Sequence, residues 1–157
     1  MATLTSTITE SISLNGADRG STNSLSIASV TQVFHRIVTC PTGQDTTLAT
    51  FASTADDSAV SGSLDVEDVK YIRVTNLDGT NPVNLSLQVD AGEDDSAADE
   101  SATLLLAAGR SFVMGSPSDG VAVSDTDATL IDTLHNLESI LIDPLSNAVT
   151  VEVFIAS

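Results

Sequence analysis

The sequence contains one cysteine, no tryptophan and few aromatic residues of any kind. Cys40 is the single cysteine among 157 residues, which excludes an internal disulfide framework and a zinc site built from cysteines, because each needs at least two thiols in the chain. Aromatic residues make up 3% of the sequence. We therefore expect a core of aliphatic side chains, with Cys40 as one of its small buried members.

Basic residues are also scarce, since five Lys and Arg stand against 22 Asp and Glu and give a formal net charge of −17. Repulsion from phosphates excludes nucleic acid as a partner. The charge is uneven: residues 1–75 hold eight acids and four bases, whereas residues 76–157 hold fourteen acids and one base. This distribution predicts a strongly electronegative surface that keeps the chain soluble, or alternatively attracts divalent cations or a basic partner.

Long hydrophobic runs are missing as well. No apolar segment approaches the roughly 18 residues that a membrane-spanning helix needs. The first residues, MATLTST, lack the basic stretch and the apolar stretch of an export signal. We expect synthesis in the cytoplasm and no membrane partner.

What the sequence does contain is a two-residue alternation of apolar and small polar side chains, rich in Thr, Ser, Val and Ile, which is typical of half-buried β-strands. In residues 4–14, Leu4, Ile8 and Ile12 share one face, and Asn15-Gly16 ends the run. Further strands are predicted at residues 25–40 with a bend in the middle, 46–52, 69–75, 83–89, 104–107, 111–114, 121–123, 137–142 and 148–156. About eight or nine short strands predict an all-β fold, a single-domain antiparallel β-sandwich or jelly-roll over residues 1–157.

The connections between these strands are predicted from turn residues. Residues 69–75 and 83–89 form the clearest predicted hairpin, with Asp78-Gly79 in its turn. Residues 104–107 and 111–114 flank a hairpin or a tight bend, and residues 137–142 and 148–156 form a last pair. Residues 18–23 and the acidic residues 91–101 are predicted loops, and residues 53–68 are a loop or an edge element. A helix remains an alternative for residues 26–36, although their β-branched residues favour a strand, and residues 125–136 are expected to contain a helical turn.

No constellation of residues predicts catalysis. The stretch from Gly115 to Gly120 comes nearest to a nucleophile elbow, but its spacing is wrong. His35 and His135 each stand alone in apolar surroundings, where a hydrogen-bonded structural role is expected. We therefore predict no enzyme, no catalytic residue and no small-molecule substrate.

Metal and cofactor sites are not predicted either. Asp125-Thr126-Asp127 has the first two acids of a calcium loop but lacks its glycine and its distal glutamate. A second group of acids could collect Ca²⁺ or Mg²⁺, although such runs are usually solvated. Its members are Glu93, Asp94, Asp95, Asp99 and Glu100. No glycine-rich phosphate loop follows a strand.

The predicted sandwich leaves edge strands whose exposed sides carry Ser and Thr with very few Lys, so protection against edge-to-edge pairing is weak. Neighbouring subunits are expected to complete these edges. Lys70 and Arg73 point to opposite faces of one predicted strand. Partners within the chain are expected for both, and contact of one of them with a neighbouring subunit is the alternative.

Several segments resemble small virion structural proteins of marine tailed phages, including cyanophages. They are FHRIVT at residues 34–39, KYIRVTNLD at residues 70–78, NPVNL at residues 81–85 and LLAAGRSF at residues 105–112. The resemblance implies a β-sandwich that decorates or cements a phage capsid, or lies in the tail, with no catalytic residues to carry over. The implied location is the virion, and the implied partners are the major capsid protein and copies of the chain itself. A tail, adaptor or fibre component is the first alternative, and a calcium-dependent or glycan-binding adhesin module is the second.

Overall fold

The computed structural model describes residues 1–52, 62–89, 100–123 and 133–157, and within these ranges every regular element is a β-strand. None of the described residues forms a helix that could cross a membrane. The strands are β1 (Ala2–Glu10), β2 (Ser13–Leu14), β3 (Ala17–Asp18), β4 (Ser21–Val30), β5 (Val33–Cys40), β6 (Thr46–Ala52), β7 (Leu64–Asp65), β8 (Tyr71–Asn76), β9 (Val83–Val89), β10 (Glu100–Leu106), β11 (Ser111–Met114), β12 (Leu137–Asp143) and β13 (Val149–Ala156). The all-β prediction is confirmed.

Two sheets face each other across the core. Sheet I has the strand order β11-β8-β13-β5, and sheet II has the order β10-β9-β12-β6-β7. From β5 onward, and leaving out the short β7, strands that follow each other in the chain lie in opposite sheets, with one exception. The exception is β9 and β10, which are neighbours in sheet II. Eight strands that alternate in this way form a jelly-roll of two Greek keys. The jelly-roll alternative of the sequence prediction is therefore the observed fold.

The core is aliphatic, as the composition predicts. Alternate residues of β9 and β13 point inward and are almost fully buried. The buried side chains include Ile72, Val74, Val83, Leu85, Val89, Leu137, Ile140, Ile142, Val149, Val151, Val153 and Ile155. Phe51 is the one aromatic member among the buried residues of this main cluster. Cys40 is completely buried at the end of β5, and burial raises the pKa of its thiol.

The predicted hairpins are wrong, although their strands exist. β8 lies in sheet I and β9 in sheet II, and β12 and β13 are divided between the sheets in the same way. β10 and β11 are divided as well, so the tight bend is the correct alternative there. Alternation cannot distinguish a hairpin from an arch that joins two sheets, because each strand has one buried face in both arrangements.

Asn76 explains why the chain changes sheets after β8. Its side chain is completely buried, and its Nδ2 donates to the carbonyl oxygens of Asn81 at 2.9 Å and Leu106 at 3.2 Å. Its Oδ1 accepts from the backbone N–H of Asp78 at 2.9 Å. Because Leu106 ends β10, this one side chain joins the β8–β9 arch to the β10–β11 arch. The backbone N–H of Asn76 also donates to the carbonyl of Arg110 at 2.9 Å.

The loop predicted at residues 18–23 is wrong. β4 begins at Ser21 and pairs antiparallel with β1, from Glu10 opposite Ser21 to Ala2 opposite Val30. The reversal lies earlier, at Asn15-Gly16, where both residues have positive φ, 52° and 76°. This is the geometry of a two-residue hairpin turn, and it brings the Ser- and Thr-rich start of β4 beside β1.

The bend predicted within residues 25–40 is confirmed, and the helical alternative is wrong. β4 ends at Val30 and β5 begins at Val33, with Ser29 at a φ of 59°. Residues 53–68 contain an edge element, because β7 pairs parallel with the end of β6. Residues 53–61 themselves lie outside the described part of the chain.

Two predictions from the second half of the chain are corrected. Residues 121–123 do not form a strand, since Val121 makes only an isolated bridge to His135. Glu100 and Ser101 belong to β10 and not to the acidic loop, whose residues 91–99 lie outside the described part. The helical turn predicted at residues 125–136 falls mostly on residues 124–132, which are also not described.

Candidate assembly surface

Residues 2–30 form a long hairpin on the outer face of sheet I, which we call the arm. Its base is anchored by a small apolar cluster, separate from the main core. The members of this cluster are Leu4, Ile27, Val30, Tyr71, Phe154 and Ala156. The hydroxyls of Ser6 and Tyr71 share a hydrogen bond of 3.2 Å. At nine residues, β1 is about 30 Å long, so the arm extends well beyond this anchor.

The apolar face of the arm continues past the point where it contacts the jelly-roll. The pairing of Leu4 with Ile27 and of Ser6 with Leu25 places these side chains and Ile8 on one face. Ile8 and Leu25, together with Ile12 and Leu14 nearer the tip, are 53–56% exposed. A two-stranded hairpin is at best marginally stable in water when nothing covers it. The arm therefore presents an apolar face that the described part of the chain does not cover.

The same region has no net charge. Residues 1–40 contain the acids Glu10 and Asp18 and the bases Arg19 and Arg36, so the whole charge of −17 belongs to residues 41–157. Exposed apolar side chains and electrical neutrality therefore coincide on the arm and on the neighbouring β5, where Val33 and Ile37 are also exposed. An acidic protein, including another copy of this chain, meets the least repulsion on this surface.

An open groove of about 610 Å³ separates β1 from the outer face of sheet I. It is lined by Leu4, Thr5, Ser6, Thr7 and Ile8 of β1 and by Tyr71, Arg73, Ser111, Val113 and Phe154 of the jelly-roll. One edge of β1 pairs with β4, and the other edge has no strand beside it among the described residues. An open strand edge beside an apolar groove can accept an extended segment as an added strand.

A network of charged side chains lies on the outer face of sheet I, beside this groove. Arg73 Nη1 donates to Glu152 Oε2 at 2.7 Å, and His35 Nε2 lies 2.8 Å from Glu152 Oε1. The hydrogen bond from Arg73 is the main cause that lowers the pKa of Glu152, followed by that of His35. Lys70 Nζ donates to the carbonyl oxygen of Ser29 in the arm at 3.0 Å. The expectation that Lys70 and Arg73 find partners within the chain is confirmed.

Substitution of Glu152 by glutamine tests this network through its pH dependence. Because the folded protein lowers the pKa of Glu152, the contribution to stability is fully present above the ordinary carboxyl value of 4.5 and is lost as the pH falls through the lower pKa of the folded protein. Glu152→Gln should cost at most about 1 kcal/mol of unfolding free energy at pH 7, because the network is partly exposed. The difference from wild type should shrink as the pH is lowered from 7 to 3.

Urea unfolding at both pH values measures this effect. Glu67→Gln is the matched control, because Glu67 is an exposed acid away from the network, and it should change stability at neither pH. A deficit for Glu152→Gln that is equally large at both pH values would show that lost packing, and not the charge, is responsible.

The remaining candidate residues do not combine into a chemical site within the described ranges. His135 exchanges backbone hydrogen bonds with Val121 and lies on a different part of the chain from the His35 network. No three His, Cys, Asp or Glu side chains in the described residues are grouped so that they could hold a metal ion. Most of the acids considered from the sequence for metal binding, at residues 93–95, 99, 125 and 127, lie outside those ranges.

A second depression, of about 240 Å³, lies on sheet II and is polar. It is lined by Asp45, Asn84, Ser86, Gln88, Thr103, Leu141 and Asp143. Asn84 Nδ2 donates to Asp143 Oδ2 at 3.2 Å, and the amide of Gln88 donates to the hydroxyl of Ser86 at 2.7 Å. Its polar groups thus bond to one another, as on an ordinary solvated sheet face.

Sequence reasoning missed the arm as a unit. The signal was present in Asn15-Gly16, which has alternating Ser, Thr and aliphatic residues on both sides. Assigning residues 18–23 to a loop separated the two halves of one hairpin. The uncovered apolar face could then not be recognised, because it becomes visible only when Leu25 is placed beside Ser6.

Comparisons with known proteins give little further information. No family model and no curated protein matches the chain. Among solved structures, the chain is similar to a protein described under "Bacillus endospore appendages form a novel family of disulfide-linked pili", with a TM-score of 0.36 and 14% sequence identity. The likeness covers 84% of this chain and 93% of that one. A TM-score of this size carries no argument about function.

Proposed function

We propose that this chain is a structural subunit of a larger particle and that the arm is the part by which it joins that particle. The observation that carries the proposal is the coincidence of exposed apolar side chains with zero net charge on residues 1–40. Elsewhere the chain is strongly acidic, which discourages indiscriminate contact. A protein of this kind contributes binding surface and stability to an assembly and needs no substrate.

The particle we propose is the head of a tailed phage, with the chain as a capsid decoration or cement protein. The support comes from the segments that resemble virion proteins of marine tailed phages, at residues 34–39, 70–78, 81–85 and 105–112. In this chain these segments occupy β5, β8, the start of β9 and the β10–β11 arch, and all of them belong to the jelly-roll. The resemblance thus concerns the jelly-roll, and the arm is additional to it.

A decoration protein of this kind would stabilise the shell by mass action, because it binds the assembled capsid and not its separate subunits. The proposed partners are the major capsid protein and other copies of this chain. The proposed location is the surface of the virion. A tail, adaptor or fibre component is the second candidate, because weakly protected sheet edges serve it equally well.

The copy number of this chain in purified virions distinguishes these candidates. A head decoration protein should be present at a large fraction of the copy number of the major capsid protein, measured by quantitative mass spectrometry of intact particles. A few copies per particle would instead assign the chain to the tail or to an adaptor. Its absence from particles that otherwise contain the full set of structural proteins would contradict both assignments.

A further inference from the structure

The sequence of β1 reads almost the same in both directions about Ser6. Thr5 and Thr7 flank the centre, Leu4 and Ile8 come next, and Thr3 and Thr9 follow, within the strand sequence ATLTSTITE. Two antiparallel strands related by a two-fold axis place residues at equal distances before and after the axis opposite each other. A near-palindrome is therefore the sequence pattern that suits pairing of a strand with its own copy.

We propose that the arms of two copies of this chain pair antiparallel along the open edges of β1, about a two-fold axis at Ser6. In this register Leu4 lies opposite Ile8 of the second copy, Thr5 opposite Thr7, and the two Ser6 residues opposite each other. The inference deepens the proposed assembly role, on which it rests, by naming a second copy of the chain as an occupant of the groove beside β1.

In the structure, the edge of β1 that does not pair with β4 is open around Ser6, where the proposed pairing needs it. The residues of β1 that line the groove are Leu4 to Ile8, so the groove is centred on Ser6. Pairing would convert the two-stranded arm into a four-stranded sheet in the order β4-β1-β1-β4. Three or more strands with a hydrophobic face are far more stable than an isolated two-stranded hairpin. Opposed Thr pairs and opposed aliphatic pairs are both favourable across antiparallel strands.

Charge favours a second copy at this edge over other contacts between copies. Glu10 is the one charged residue of β1, and the register places it opposite Ala2 of the second copy, at the far end from the other Glu10. Contacts between the rest of two copies would oppose surfaces that carry −17 each within residues 41–157. Pairing through β1 joins the two neutral regions.

The pairing also accounts for the exposed apolar face of the arm. Antiparallel strands place the anchored base of one arm beside the outer half of the other, so the two jelly-rolls attach at opposite ends of the joined sheet. Ile8, which is 54% exposed in one copy, then lies next to Leu4 of the second copy. Leu4 is part of the apolar cluster at the base of the arm, which gives Ile8 apolar neighbours.

A disulfide at the axis tests the register. Directly opposed residues of antiparallel strands have Cα atoms about 4.5–5.5 Å apart, which suits a disulfide. Ser6→Cys should therefore form a disulfide-linked dimer under mild oxidation, whereas the native Cys40 is buried. Thr22→Cys is the control, because Thr22 is exposed on β4, opposite Thr9 and away from the open edge of β1. It should yield at least tenfold less dimer.

A charge exchange tests the pairing independently of the disulfide. Thr5 and Thr7 are exposed, so the double variants Thr5→Asp with Thr7→Asp and Thr5→Lys with Thr7→Lys should both fold. Each variant alone opposes like charges across the axis and should be a monomer by size exclusion with light scattering. An equal mixture opposes Asp to Lys and should restore a heterodimer with at least tenfold tighter association than either variant alone.

The matched control carries the same charges one strand further from the axis. Ser24 and Ser26 pair with Thr7 and Thr5 on the same exposed face of the arm. Aspartates at these two positions should leave the association of the arms within a few-fold of wild type, because the like charges of the two copies are then separated by more than a screening length.

The proposal is overturned if the wild-type chain is a monomer at concentrations of about 0.1 mM, if Ser6→Cys and Thr22→Cys cross-link equally, or if the mixture of charge variants remains monomeric. None of these results affects the copy number in virions, by which the proposed function is judged. A chain that is abundant in virions but fails these tests would join its particle without pairing of its arms.

Discussion

Replacement of Asn76 by aspartate should lower the free energy of unfolding by about 3 kcal/mol or more, because a carboxylate cannot donate to the two carbonyl groups that Asn76 now satisfies. The carbonyl oxygens of Asn81 and Leu106 would each lose a hydrogen bond and face a negative charge at about 3 Å. Burial adds a cost for the charge itself, since the Asn76 side chain is completely excluded from solvent. We expect the pKa of the new carboxyl to be raised for the same reasons.

Urea denaturation at pH 7 measures the loss, and Asn147→Asp is the matched control. Asn147 also bonds to Asn81, through Nδ2 and the side-chain Oδ1 at 3.1 Å, but its own side chain is exposed. The control should cost less than about 1 kcal/mol. Equal losses in the two variants would mean that the arches are not held together by the buried amide.

Asn76 also shows why the connectivity of the jelly-roll was not predictable from the pattern of residues. The strands were recognisable because alternation and β-branched residues mark a half-buried strand wherever it lies. The partner of each strand depends on the conformation of the connection, and Asp78-Gly79 suits a hairpin turn equally well. Burial of one amide side chain, bonded to residues 5 and 30 positions away, decides between the two arrangements.

Asp78, in the connection between β8 and β9, also shows that a turn signal does not tell a hairpin from an arch. Its carboxylate accepts from the backbone N–H groups of Asn81 and Thr80 at 2.7 Å each, and these bonds lower its pKa. The turn expected from the sequence is therefore present. It does not return the chain to the same sheet. Asn76, before the turn, is bonded to Leu106 and Arg110 at the β10–β11 connection, whereas Asn81, after the turn, accepts from Asn147 between β12 and β13.

The sequence predicts that neighbouring subunits complete the sheet edges, but it does not predict which surface of the fold is left uncovered. The scarcity of Lys and Arg predicts poorly guarded sheet edges in general. Which edge or face stays uncovered depends on how residues far apart in the chain pack together. Ile8 and Leu25 alternate with polar residues in the same way as buried side chains do, and they are exposed only because the arm extends beyond the jelly-roll.

Shortening the arm should abolish self-association while leaving the jelly-roll intact. In this variant an Asn-Gly turn replaces residues 7–24 and joins Ser6 to Leu25, which lie opposite each other and belong to the same alternating set of hydrogen-bonded pairs as Ile12 and Arg19. Two-residue turns of this type connect such a pair without strain. Leu4, Ile27 and Val30 keep their contacts with Tyr71, so the free energy of unfolding should change by no more than about 1 kcal/mol. The outer half of β1 is removed, and with it every pairing of Ile8 with Leu4 of a second copy.

The control shortens the tip instead and replaces residues 13–18 with Asn-Gly, which keeps β1 and β4 at full length. Ile12 and Arg19 are already held together there by a backbone hydrogen bond of 2.9 Å. Light scattering should show a dimer for the control and a monomer for the shortened arm, and urea unfolding should give nearly equal stabilities for both. If the shortened arm instead unfolds the protein, the arm is an integral part of the folded core; if the control also loses the dimer, the tip and not β1 forms the contact.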